Sequence, residues 1–355
     1  MIFYKELINW YLQNNRDLPW RKTKNPYTIW LSEIMLQQTR VSQGLPYFIR
    51  FTKELPTVFD LANAEEKIVL KLWQGLGYYS RARNLHYTAK YVVNQLNGTF
   101  PSNYKDLLKL KGVGDYTASA IASICYNEPV AAVDGNVYRV LSRVFGVHTP
   151  INSSKGIKEF KQLAQSLISQ EEPGDYNQAL MDFGALHCKP QNPLCDSCTF
   201  SSICVALSNK TVNNLPVKEK KIKIKKRFFN FLVVESSDGR TILEERKGKG
   251  IWQGLYQFPL IETNKAIDAQ ELVEAPLFSK IDLKGAVIRR FHKKMMIHKL
   301  SHQHLHTQFW IVSTKASKHT NINWSEVSDK PLPVLIEKFL TEYFNEVDQY
   351  SHQTI

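Results

Sequence analysis

Apolar residues recur at helical spacing through roughly the first two hundred positions. Phe3, Leu7, Trp10 and Tyr11 form one stripe, and Leu180, Phe183 and Leu186 another. The spacing predicts an almost wholly helical region over 1–205. The pattern changes after Cys204. Residues 206–227 hold SNKTVNNLP and end in the basic run KEKKIKIKKR, a polar stretch that reads as a linker running into a first strand. FFNFLVVE, TILEE and HTQFWIVS carry the β-branched and aromatic residues of strands, with a turn at Ser237, Asp238 and Gly239. PLPVLIEKFLTEYF (331–344) predicts a helix that Pro331 or Pro333 starts. The expected architecture is therefore two domains: an all-α one over 1–205 and an α+β one over 228–350, joined by the basic linker 206–227.

Composition narrows the class. The chain has 355 residues, 43% hydrophobic and 22% charged, which is ordinary for a soluble globular protein of two domains. Its formal charge of +13 favours a polyanionic partner, most commonly nucleic acid. MIFYKELINWYLQNN lacks the unbroken apolar stretch of a signal peptide, and no run reaches transmembrane length, so a cytoplasmic address and no membrane partner are expected.

Of five cysteines, Cys125 lies in the apolar stretch ASAIASICY and reads as a small core residue. The other four, Cys188, Cys195, Cys198 and Cys204, follow the pattern C-x6-C-x2-C-x5-C. Four thiolates this close can share one soft metal centre, and without a secretion signal they point to a metal rather than to disulfides. Zinc is the alternative, but only Cys195 and Cys198 form a CxxC knuckle, and the spacing favours iron–sulfur. The role of such a centre reads as structural.

LKGVGDYTASAI (110–121) lies between a short helix, YKDLLKL, and an apolar one. Gly112 and Gly114 let the backbone turn tightly and present amides at a helix N-terminus, a ready site for a phosphate oxygen. Two carboxyls stand out. Glu33 is the lone acid in IWLSEIML, a helix apolar nearly all round. A mid-helix glutamate is usually solvated, but a helix this apolar is expected to be buried, which would raise the pKa and keep part of the group protonated near neutral pH. Gln37, four residues on, is expected on the same face. Asp134 precedes the amphipathic GNVYRVLSRVF and reads as a helix N-cap, a way to hold a carboxylate ionised.

Taken together, LKGVG with YTASAI, VDGNVYRVLSR and the four cysteines resemble the helix–hairpin–helix DNA glycosylase superfamily in its iron–sulfur branch. Within it, PYTIWLSEIMLQQTRV (26–41) and GLGYYSRARNL (75–85) resemble the MutY-type adenine DNA glycosylases, and the resemblance runs over 1–205. It implies a hairpin over about 105–125, a loop at 188–204 holding one 4Fe-4S cluster, and no nucleotide cofactor. Glu33 would protonate the adenine, and Asp134 would face it across a cleft and stabilise the positive sugar. Tyr116 and Asn136 would be their hydrogen-bonding neighbours, with Arg21, Trp30 and Gln178 about the extruded base. Gln37, Gln38, Thr39, Leu76 and Tyr78 match the family's wedge and strand-contact segments, although Leu76 and Tyr78 also read as plain core. Lyase-competent relatives carry a Schiff-base lysine where this chain has Tyr116, which implies base removal alone. Lys111 replaces the proline common in the hairpin and adds a charge where phosphate is expected.

The resemblance continues past the linker. GIWQGLYQFP (250–259) resembles the Nudix-like domain that recognises 8-oxoguanine in MutY-type enzymes. LIETNKAIDAQELVEA lacks the glutamate-rich segment that a working Nudix hydrolase needs for magnesium. KLSHQHLH matches the family's reading loop with Leu300 in place of phenylalanine, so that Ser301 and His302 would contact the lesion and Leu300 would supply an apolar wedge. The even spacing of His298, His302, His304 and His306 would put four imidazoles on one strand face, but no carboxylate or cysteine accompanies them and metal binding is not expected. The expected partner is double-stranded DNA holding an adenine:8-oxoguanine mispair, bound by a monomer. Other repair proteins are compatible partners that the sequence does not specify. The rivals are an endonuclease III-like glycosylase/lyase and a non-catalytic iron–sulfur DNA-binding protein.

Overall fold

In a computed structural model, residues 2–219, 224–281, 283, 285–315 and 318–351 are described. The centre of the lysine run, 220–223, lies outside them. The chain divides into two compact units, one of 1–64 and 83–220, the other of 65–82 and 221–355.

Helices build the first unit: α1 (Ile2–Asn14), α2 (Pro26–Leu36), α3 (Val41–Glu54) and α4 (Val58–Asn63) before residue 65. Of the next two, α5 (Glu66–Trp73) belongs to the second unit, and α6 (Ser80–Leu96) starts there and continues into the first. Then come α7 (Tyr104–Leu107), α8 (Asp115–Tyr126), α9 (Gly135–Phe145), α10 (Ser154–Leu167), α11 (Pro173–Asp182) and α12 (Val205–Ser208). Local chemistry sets the ends that matter. Pro26 opens α2 behind Asn25, whose side chain accepts from Thr28 N. Asp134 caps α9 by accepting from the amides of Asn136 and Val137, and Gly146 ends that helix at φ +68°. The apolar stripes of α1, α9, α10 and α11 meet in one core around Leu7, Leu141, Phe160, Tyr176 and Phe183.

α2 is buried along most of its length, as its unbroken apolar character predicts. It stops at Leu36, however. Gln37 follows as the C-cap at φ −55° and ψ 114°, and Gln38 takes a positive φ of 55°. Gln37 donates from Nε2 to Thr117 Oγ1 at 3.2 Å.

In the second unit, β1 (Lys225–Ser236) and β8 (Gln303–Thr314) run parallel at the centre of a sheet ordered β5 (Leu260–Thr263), β1, β8, β6 (Val287–Arg290), with β7 (Met296–Lys299) also on β8. The short strands β2 (Arg240–Thr241) and β9 (Ile322–Asn323) pair together, as do β3 (Glu244–Glu245) and β4 (Tyr256–Gln257). The short α13 (Ala269–Val273) and α14 (Pro276–Lys280) pack on one apolar cluster with Trp310. α15 (Val334–Ser351) follows Pro333 and stacks Phe339 on Phe309. Residues 65–82 are part of this body: Gln74 Oε1 accepts from Leu332 N at 2.9 Å, and Lys71 Nζ donates to Ser328 O.

Candidate active site and cysteine loop

Glu33 is only 7% exposed, although it lies at mid-helix. Burial is the main cause that pushes its pKa up to about 7. The nearby charge of Asp134 adds to the rise, while a hydrogen bond from Tyr116 and the charge of Arg21 oppose it. Tyr116 lies in the first turn of α8, with its hydroxyl also 3.0 Å from Met181 Sδ. It is held well above the ordinary tyrosine range by burial and by Glu33. Asp134 is raised by burial, and three donors pull it back: the amides of Asn136 and Val137, each at 2.8 Å, and Asn136 Nδ2 at 2.7 Å. Two carboxyls therefore share one desolvated place with unequal support. Glu33 is left to hold a proton, while Asp134 is solvated by fixed amides at a helix N-terminus.

Sequence reasoning missed two residues that fix this arrangement. Asp182, fully buried at the end of α11, takes both Arg21 and Arg16 as ion-pair partners. Arg21 grips it with Nη1 and with Nη2, the latter at 2.7 Å, so Arg21 is locked in place beside Glu33. Arg139 donates from Nη2 to Asn136 Oδ1 at 2.8 Å and to Gly184 O at 2.6 Å, and from Nε to Cys188 O at 2.7 Å. This turns the Asn136 amide so that its nitrogen faces Asp134. An amphipathic moment would place Asp182 and Arg139 on some helix face, but only tertiary contact gives them partners. Of the other expected base-contacting residues, Trp30 is fully enclosed, its ring against Phe100 and Tyr27, and Gln178 is half-buried on α11. Thr39 is half-buried and Gln38 exposed.

The hairpin forms between α7 and α8. Gly112 turns at φ +84°, where an added Cβ would meet Asn84, and Gly114 caps α8 with open space beside it. Lys111 is exposed, with Nζ 4.3 Å from the centre of the Tyr87 ring.

Cys188, Cys195, Cys198 and Cys204 are free of disulfides and line one cavity with Arg143 and His187. Arg143 Nη1 lies 3.4 Å from Cys188 Sγ and also donates to Lys189 O, and its Nε donates to Val212 O. Among the described residues, no group of three or more His, Cys, Asp or Glu side chains is already arranged to hold a metal ion. Four unpaired sulfurs around one cavity beside a buried guanidinium nonetheless fit an anionic, sulfur-ligated centre.

In the second unit, Leu300, Ser301 and His302 lie in the turn joining β7 to β8, closed by Leu300 N donating to Gln303 O at 2.9 Å. Ser301 and His302 are exposed and Leu300 is half-buried. Tyr78, 45% exposed and at φ +49°, reaches the same turn, with its hydroxyl 2.6 Å from Ser301 Oγ. Leu76 is buried. His298 sits on β7 near Trp252, whereas His304 and His306 are on β8 and His306 stacks on Phe228. The four histidines thus occupy two strands and a turn rather than one strand face. Among the described residues, no helix is long and apolar enough to cross a membrane.

Residues 31–167 match the HhH-GPD superfamily base excision DNA repair protein family, and residues 230–342 match the NUDIX domain. An adenine DNA glycosylase of Buchnera aphidicola subsp. Baizongia pistaciae is 36% identical over 96% of this chain and 97% of its own length. That of Arabidopsis thaliana is 40% identical over 74% of this chain and 48% of its own length. Among solved structures, a thermostable thymine-DNA glycosylase superposes with a TM-score of 0.55 at 31% identity, over 59% of this chain and 96% of its own. A non-covalent endonuclease III–DNA complex, at 24% identity and a TM-score of 0.51 over 58% of this chain and 94% of its own, shares the fold of the helical region. A helical core carrying the buried Glu33 and a cysteine loop, followed by a Nudix-like sheet domain and matched along nearly its whole length, places this chain in the adenine DNA glycosylase family.

Proposed function

We propose that this protein hydrolyses the N-glycosidic bond of adenine mispaired with 8-oxoguanine or guanine in duplex DNA, without designed strand cleavage. The observation that carries the chemistry is Glu33, buried with its pKa pushed up to about 7, near an Asp134 whose carboxylate takes three hydrogen bonds from Asn136 and Val137. Adenine leaves poorly until a ring nitrogen is protonated. Glu33 gives that proton as the bond to the sugar breaks and its electron pair moves onto the base. The sugar is left with positive charge, which Asp134 stabilises while its own charge is held by Asn136 and the α9 amides. Water then adds to the sugar carbon, and Glu33 takes back a proton. Tyr116 orients Glu33 and offers no amine for a Schiff base, which supports the monofunctional reading. Arg21, Gln178, Gln37, Gln38 and Thr39 would line the path of the extruded nucleotide. Trp30 is proposed only as support from behind, since it is enclosed.

Extruding the nucleotide costs on the order of a few kcal/mol of stacking and pairing. Leu76 and Tyr78 would act at that step, with Leu300, Ser301 and His302 reading the base opposite. The hydrogen bond between Tyr78 and Ser301 supports treating wedge and reader as one element. Gly112, Gly114 and Lys111 would hold a phosphate. The four cysteines would carry a 4Fe-4S cluster that ties the 188–204 loop together, with Arg143 beside its sulfur. The protein would act as a monomer on DNA in the cytoplasm.

The test is base release from duplexes pairing adenine with 8-oxoguanine, guanine or thymine, with borohydride trapping alongside. Fast release opposite 8-oxoguanine without efficient trapping is expected. Efficient trapping would favour a lyase, and binding without release would favour a non-catalytic protein. Deleting residues 228–355 is a poor probe of the lesion reader, because 65–82 pack into that unit. Ser301→Ala is a cleaner one.

A further inference from the structure

The segment that delivers Asp134, residues 129–133, has no helix or strand of its own, yet Ala131 and Ala132 are buried. Buried backbone polar groups need partners, and here side chains supply them. Gln165 Nε2 donates to Pro129 O at 2.7 Å, and Gln165 Oε1 accepts from Ala131 N at 3.0 Å. Asn177 Nδ2 donates to Val130 O at 2.9 Å, and Asn177 Oδ1 accepts from Ala132 N at 3.0 Å. Lys161 Nζ donates to Ala131 O at 2.6 Å. One amide therefore clamps the arm from α11, and two side chains one helical turn apart clamp it from α10.

Two of the three clamps have a second end, and both second ends are on α8. Asn177 Nδ2 donates to Ser123 Oγ at 2.9 Å. Lys161 Nζ donates to Ser119 Oγ at 2.9 Å and Asp115 Oδ2 at 3.0 Å. Asp115 adjoins Tyr116, the residue that hydrogen-bonds Glu33. We propose that Lys161 and Asn177 are positioning residues that brace the Asp134 arm against α8 and so fix where Asp134 stands relative to Tyr116 and Glu33. The lysine does this with an ammonium whose three donors are all engaged in the brace. The alternative use of a lysine near a DNA-binding hairpin, neutralising a phosphate, is disfavoured because Asp115 already neutralises it.

This inference rests on the proposed chemistry for its kinetic consequence but not for its structural one, so two measurements separate them. In amide exchange, Lys161→Met should speed exchange at Ala132 and Val137, whatever substrate the enzyme uses, and Lys161→Arg should restore protection. In single-turnover release of adenine opposite 8-oxoguanine, K161M should lose at least tenfold in rate at saturating enzyme. Its affinity for a duplex carrying a non-hydrolysable adenosine analogue should stay within about threefold, and K161R should recover most of the rate. Unchanged exchange overturns the brace. A loss confined to affinity overturns it too, and assigns Lys161 to phosphate. If K161M does not fold, Asn177→Leu removes two arm contacts and the Ser123 contact on α8 and is held to the same two outcomes. Wild-type enzyme that releases no adenine would defeat the functional reading while the exchange result still decides the brace.

Discussion

Glu33→Gln separates what burial does for catalysis from what it costs the fold. In the folded protein Glu33 keeps its proton to about pH 7, whereas in the unfolded chain it releases it near the ordinary 4.5. A carboxyl whose folded pKa is raised carries no penalty below its unfolded pKa. The penalty grows as pH rises from about 4.5 and is complete above about 7. A raised pKa of this size corresponds to roughly 3 kcal/mol at pH 8, under 1 kcal/mol at pH 5 and close to nothing at pH 4. Gln is neutral at every pH and nearly isosteric. The variant should therefore lose base release altogether, yet be more stable than wild type by about 3 kcal/mol at pH 8, with the gain fading toward pH 4.5. Denaturant midpoints of the two full-length proteins at pH 4.5, 6 and 8 measure this. A difference that does not vary with pH, or a variant less stable at pH 8, would refute the burial of an ionisable Glu33. The same burial raises the protonated fraction at pH 7 from well under one percent to about half, the state that the proposed proton donation needs.

Tyr116→Phe removes a hydrogen bond that favours charged Glu33, so the alkaline limb of the base-release profile, expected near pH 7, should move to higher pH by about one pH unit. A downward move would mean that Tyr116 does not donate to that carboxyl. Arg139→Leu frees the Asn136 amide and leaves Gly184 O and Cys188 O without their donor, at a cost of about 1–3 kcal/mol for each buried group. Base-release rates should fall at least tenfold, and a variant of normal rate would show that Asn136 is oriented without it. Arg143→Gln should lower the iron and sulfide bound per chain, measured by chemical analysis, because the guanidinium organises the loop around Cys188. Tyr78→Phe and Ser301→Ala should each reduce the preference for adenine opposite 8-oxoguanine over adenine opposite guanine by a similar factor. A double variant no worse than either single one would confirm that they act together.

Much of this was legible because its causes are local. A helix apolar on every side has to be buried, so the lone acid of α2 announces itself, and the Asp134 cap is written in the residues that follow it. The cysteine spacing and the Gly-x-Gly hairpin are likewise properties of short segments. What was not legible depends on partners distant in sequence. Gln37 lies just past the last residue of α2, and nothing local says that its amide meets Thr117, 80 residues on. Segment 65–82 has the amphipathic character of any helical stretch, and nothing local says that its partners lie some 250 residues away at Ser328 and Leu332.

Asp182 and Lys161 extend the same argument to the site itself. Each is a charged residue on a helix, which local reasoning assigns to solvent. Each instead joins elements that no periodicity connects: Asp182 joins α11 to Arg16 and Arg21, and Lys161 joins α10 to α8 and the Asp134 arm. A residue that reacts must differ chemically from its surroundings and so stands out in a sequence. A residue that only holds another in register needs a charge or an amide at the correct distance, and many positions offer one. The proposed catalytic pair is therefore readable from composition and pattern, whereas the framework that holds Arg21 and the Asp134 arm in place becomes visible only when the contacts are known.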